Sequence, residues 1–140
     1  MASGMFQSAK KGLLDRATVS IDYDTDALKV LLVAADIAAN LNTFDFRDDL
    51  TEVTGTNYTA GGNALASPTV TASGGVVTFD AADVTYTNVT IAAVRGSVIY
   101  KVVGTAATDP IAFWHDHGAQ TITAGDYVIQ WNASGIAQLS

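Results

Sequence analysis

The 140-residue chain has no cysteine, two prolines and only seven basic residues. Without cysteine there is no disulfide, no thiolate nucleophile and no zinc–thiolate site. Seven cations against fourteen acids leave a net charge of −7. That balance removes the cation surplus on which phosphate binding depends, so nucleic acid is not expected as a partner. Charged residues are scarce overall, at 15%. For so small a domain this implies that other subunits cover part of the surface, and a homo-oligomer is expected. A membrane-length apolar run is also missing. ALKVLLVAADIAA, from Ala27, is interrupted by Lys29 and Asp36, so no membrane partner is expected. The opening MASGMFQSAKKGLL lacks the sustained apolar core of a secretion signal. Neither a G-x-S-x-G elbow nor a G-x-G-x-x-G loop after a strand occurs, so no enzymatic activity and no cofactor are expected.

What is present suits a buried sheet. The hydrophobic share of 49% is spread over Ala, Val and Ile and broken by Gly and Thr. The organising stretch is Ala92–Val103 (AAVRGSVIYKVV). Alternation places Val94, Val98, Tyr100 and Val102 on one face and Ile99 and Val103 on the other, as in a central strand. Turn-rich GTAATDP and TITAGD separate it from Ile111–His117 and Tyr127–Trp131, predicting a C-terminal antiparallel meander. Upstream, Ala27–Ala35 reads as a buried strand, and Ala64–Ala72 as an edge strand because it carries Pro68. Ser73-Gly74-Gly75 closes a hairpin onto Val76–Asp80, and Thr85–Ile91 leads into the central strand. Asn132–Gly135 is a tight turn before a last strand, Ile136–Leu139. Phe46, Leu50 and Val53 have helical spacing within Thr43–Val53, predicting one short surface helix. The expected fold is all-β: an antiparallel β-sandwich or jelly-roll-like domain over residues 18–140, preceded by an N-terminal arm over residues 1–17.

Few residues suggest chemistry. Asp22, Asp24 and Asp26 echo a calcium loop, but Ala27 and Val33 stand where that loop needs Gly and a bidentate Glu, so a structural turn is expected. His115 and His117 share a strand face and offer two imidazoles to a metal, without an evident third ligand. Asp48, Asp49 and Glu52 read as exposed rather than confined for acid–base work. Trp114, Trp131, Tyr58, Tyr86 and Phe113 are candidates for a sugar-stacking platform, although strand aromatics more often fill cores or interfaces. Phe113 and Trp114 are consecutive and point to opposite faces, so one of them is free to meet a neighbouring subunit or a loop. In the arm, Phe6, Ala9, Leu13 and Leu14 have loose helical spacing weakened by Gly12, beside a basic group of Lys10, Lys11 and Arg16. The candidate partner-binding residues are therefore Phe6, Lys10, Lys11, Leu13, Leu14, Arg16 and Trp114.

A succession of phrases carries a resemblance: DALKVLLVAA, LTEVTGTNYTAGGNALASPTVT, VTFDAADVTYTNVTIAAVRGSVIYK and GDYVIQWNASGIAQLS, together covering roughly residues 20 to 140. In these phrases the chain resembles a family of small tailed-bacteriophage virion structural proteins. The resemblance implies a capsid decoration, or cement, protein on the outer surface of the phage head. Its implied partner is the major capsid protein, with self-association as a trimer first. The alternative is a tail, fibre or head-fibre component that binds a host-surface glycan through Trp114, Trp131 or Tyr58.

Overall fold

The computed structural model describes residues 3–15 and 20–140. Arg16 and the expected boundary of the arm at residue 17 lie outside the described residues. In chain order the elements are β1 (Gly4–Met5), α1 (Gln7–Asp15), β2 (Leu28–Val33), β3 (Asn63–Ala64), β4 (Thr69–Ser73), β5 (Val76–Asp80), β6 (Val84–Lys101), β7 (Ile111–Ile129) and β8 (Ala137–Leu139). They form two antiparallel sheets, a five-stranded one ordered β1-β7-β6-β2-β3 and a three-stranded one ordered β4-β5-β8. The sandwich-like all-β architecture read from the sequence is the one observed.

The large sheet is apolar on both faces because β2 and the second half of β6 are. Leu28, Val30 and Leu32 of β2 enter one core, while Leu31 and Val33 enter another on the opposite face. The first core lies between the sheets. There Phe79 of β5 stacks on Phe113 of β7 with ring centroids 5.9 Å apart, and Tyr23 tilts against both at 5.0 and 5.6 Å. No sheet covers the second core. Phe6 and the segment carrying Ile37, Leu41, Phe44 and Leu50 close over Val98, Tyr100, Ile111 and Trp114 instead. Phe113 and Trp114 do point to opposite faces, and it is this segment that meets Trp114.

Several local expectations are corrected. The C-terminal meander is a single hairpin of two long strands. TITAGD supplies bulges rather than a chain reversal: Ala124 takes φ 45° and, opposite, Asn88 takes φ 50°, and the β6–β7 register shifts four times between Tyr86 and Gly96. Side chains patch the interrupted ladder, with the Ala124 N–H donating to Thr90 Oγ1 at 2.9 Å and the Asn88 N–H to Asp126 Oδ1 at 2.8 Å. The same shifts move Val94 to the Ile99 side and leave Val98 and Tyr100 on the other. Val102 and Val103 fall beyond the strand and are exposed. The helix expected over Thr43–Val53 is only a 3₁₀ turn at Arg47–Asp49. The Asp49 carboxylate accepts from the Asp45 and Phe46 N–H groups, which favours a capped turn over a continuing helix. Farther on, the Val53 N–H donates to the Leu32 carbonyl, in extended pairing. Ala64–Ala72 is divided at Ser67 (φ 52°) and Pro68, where the chain passes from the large sheet to the edge of the small one.

Residues 3–15 are also more integrated than an arm. Gly4 and Met5 pair with Trp114 and Phe113, the Phe6 N–H donates to the Ala112 carbonyl, and the Gln7 N–H to that of Leu41. Phe6 is completely buried. Only the outer side of α1 stands free of the body.

Gly96 marks a tight backbone approach within the sheet. A Cβ there would overlap the His115 carbonyl and the outer edge of the Trp114 ring. Gly96→Ala is therefore expected to destabilise the fold by about 2–3 kcal/mol, since neither backbone nor a buried indole can give way cheaply. The midpoint of urea unfolding measures it.

Candidate functional site

His115 and His117 project from the same face of β7, as the strand period requires, with ring centroids 6.5 Å apart. They do not stand at a solvent-facing strand end. His115 packs edge-on against Trp131 at 5.1 Å, and His117 against Tyr127 at 6.3 Å. Among the described residues no group of three metal-ligating side chains forms. The closest partner of His117 is Ser97 of β6, whose Oγ lies 2.8 Å from Nε2. That spacing suits activation of a hydroxyl, but Ser97 is fully buried. Asp116 projects from the other face of the strand, where it pairs with Arg95, so it does not back this imidazole. Burial, with the neighbouring His117 second, holds His115 down to about 4; burial likewise lowers His117.

On that opposite face Asp116 accepts two hydrogen bonds from Arg95, at 2.7 and 2.8 Å, and Arg95 reaches Asp36 at 3.1 Å. The bidentate guanidinium holds the Asp116 carboxyl down to about 2. Asp109 is similarly consumed. It accepts from the Val103 and Gly104 N–H groups and from Arg47, which also lies over the Tyr100 ring at 5.2 Å.

The aromatic candidates mostly fill the interior, as strand aromatics more often do. Trp114, Trp131, Tyr86 and Phe113 are buried, Trp114 on the opposite face from the others. Tyr58 is spent on a polar knot: its hydroxyl donates to Glu52 Oε1 at 2.6 Å and accepts from the Leu32 N–H at 3.0 Å. Glu52 also accepts from the Gly61 N–H at 2.6 Å, and Tyr100 donates to the Gly61 carbonyl at 2.7 Å. Glu52 thus ties the 52–61 loop to the sheet rather than facing solvent. Asp22 and Asp26 behave as expected of a turn, the Asp22 N–H donating to Asp26 Oδ2 at 2.8 Å while Asp26 pairs with Lys101.

Of the proposed partner-binding residues, Phe6 and Trp114 are wholly buried in the second core and offer no surface, which corrects that expectation. Lys10, Lys11, Leu13 and Leu14 are exposed on α1, with Lys11 paired to Asp15. Lys10, Leu13 and Leu14 line an open groove of about 920 Å³. Its other walls are Met5 of β1, Val70, Val77 and Leu139 of the small sheet, and its floor is Tyr23, Phe79 and Phe113. Sequence reasoning missed this groove. A signal existed, because Val70, Val77 and Leu139 occupy the Phe79 face of their strands, yet which of those positions the other sheet reaches depends on tertiary packing.

Two outcomes follow. Because His115 in the fold has a pKa below its ordinary 6.5, protons bind the unfolded chain preferentially. The contribution of neutral His115 to stability is full above about pH 6.5, falls as the pH drops toward about 4 and levels below it, by roughly 3 kcal/mol. His115→Gln should make that limb shallower in melting curves taken across this range, leaving the smaller share that His117 carries. Tyr58→Phe should cost about 1–3 kcal/mol, read by chemical denaturation, since the buried Leu32 N–H loses its acceptor and Glu52 a donor.

Comparison with protein-family models, with curated proteins and with solved structures finds no match for this chain.

Proposed function

We propose that this chain is a phage virion structural protein, a capsid decoration protein that binds the outer surface of the head and stabilises it. The reading rests on the resemblance in the four phrases, and their placement in the fold supports it. DALKVLLVAA contains β2, the second phrase holds the Glu52–Tyr58 knot and the β3–β4 crossing, the third supplies β5 and β6, and the last ends β7 and forms β8. The likeness therefore lies in the residues that build the body rather than in one decorative loop.

One observation carries the functional part. Among the described residues the buried Ser97, Asp109 and Asp116 are each hydrogen-bonded inside the domain, whereas apolar side chains are left on the surface around one groove. Such a surface favours association over turnover. Of the aromatic residues that would have served a glycan, Trp114 and Trp131 are interior and Tyr58 is half-buried with its hydroxyl engaged, so the structural reading is preferred to the adhesive one. Binding to the expanded shell would stabilise it by mass action, through preferential affinity for that state.

Reconstruction of intact particles by electron microscopy is expected to show this chain in many copies over the outside of the head. Heads stripped of it should release their genome at a lower temperature, and adding the purified chain back should restore the original release temperature. A few copies confined to the tail would overturn the decoration role.

A further inference from the structure

Eight large hydrophobic side chains are exposed among the described residues, and five of them (Leu13, Leu14, Val70, Val77 and Leu139) line the one groove between α1 and the small sheet. Their origin is structural. Val70 pairs with Phe79 across the β4–β5 ladder, Val77 lies two residues from Phe79 on β5, and Leu139 pairs with Val77. All three share the inward face of the small sheet with Phe79, by the two-residue period of strands. Phe79 is covered, whereas Val70, Val77 and Leu139 are 41%, 37% and 58% exposed. These are core-facing positions with no layer over them among the described residues. Leu14, 92% exposed on α1, flanks the same opening.

The charges around the opening are of both signs and unmatched. Lys10 lines the groove and has no carboxylate partner among the described residues. A smaller hollow of about 350 Å³ adjoins it across Leu13, Tyr23 and Val70, and is lined by Asp22 and Asp24. These two carboxyls have no cation partner among the described residues. They share a hydrogen bond with each other, which lowers Asp22 and raises Asp24 relative to an ordinary carboxyl. One surface therefore presents an uncovered apolar centre with a free cation and a surplus anion beside it.

We propose that this groove is the docking face for a second copy of the chain, related by a twofold axis, with Lys10 of each copy set against Asp22 and Asp24 of the other. A twofold interface uses the same patch on both partners and so needs it to be self-complementary. Apolar against apolar, with each cation crossing to the other copy's acids, meets that requirement. A ring of three instead needs two separate complementary patches, and the apolar exposure is concentrated at one. The inference is independent of the virion reading, since it concerns the isolated chain.

Sedimentation velocity on the full chain over a concentration series tests it. Wild type should show a reversible monomer–dimer equilibrium that weakens as salt is raised. Leu14→Asp should raise the dimer dissociation constant about tenfold or more, with an unchanged melting temperature of the monomer because Leu14 makes little contact in the fold. Lys10→Glu and Asp24→Lys should each weaken self-association by placing like charges together. Mixing these two variants should restore a heterodimer, because the unaltered Lys10 of one copy again meets both carboxylates and the introduced glutamate meets the introduced lysine, a contact that neither variant can make with itself. A wild type that stays monomeric, or that forms a trimer, overturns the proposal. So does a dimer indifferent to Leu14→Asp, or a pair of charge variants that fail to rescue one another.

Discussion

The second half of β6 is enclosed on all sides, and most of the architecture follows from that enclosure. Its edges are hydrogen-bonded to β2 and β7, and Ser97, Val98, Ile99 and Tyr100 are buried in succession. A strand apolar on both faces needs a cover for each. The small sheet supplies one through Phe79. On the other side Phe6 and the segment carrying Ile37, Leu41, Phe44 and Leu50 do the same work without forming a sheet. Gly96 fits within this enclosure because an aromatic ring and a carbonyl occupy the space a side chain would need.

Much of this arrangement was legible in the sequence. The β-rich composition, the double-sided β2, the Gly74-Gly75 hairpin and the Pro68 edge all express short-range physics, and all reappear in the fold. The misreadings share a cause. Gly, Asn and Thr near TITAGD and Thr87-Asn88 supply the same backbone freedom whether the chain reverses or merely bulges, and only pairing with the opposite strand decides which. Val94 changes face for that reason. The helical spacing of Phe46, Leu50 and Val53 likewise arises from successive contacts of an irregular segment with the sheet. Among the candidate site residues, Lys10, Leu13 and Leu14 were visible as an unusual basic and apolar group. Trp114 looked available because nothing in its own segment reveals the cover brought from residues 37–50.

Polar groups in this molecule are used chiefly to fix loops. Asp109 gathers the turn after β6 and ties it to Arg47; Glu52 and Tyr58 bind the 52–61 loop to β2; Asp116 secures Arg95. Carboxylates that meet backbone N–H groups and guanidinium in this way hold irregular backbone in place where regular ladders do not reach. The long connections can then act as walls of the domain. What remains for the exterior of the described residues is a mostly acidic surface on which most of the exposed large apolar side chains gather at one groove.

The bulged length of β7 has one more consequence. β1 pairs with it only at Phe113 and Trp114, so the outer margin of the strand from there to Ile129 has no neighbouring strand among the described residues. A straight margin of that length would invite endless addition of foreign strands. Left-handed backbone at Gly118 and Ala124 breaks its rhythm of donors and acceptors, so an incoming ribbon falls out of step after a few residues. Irregularity here guards a β-rich chain with little charge against fibre growth.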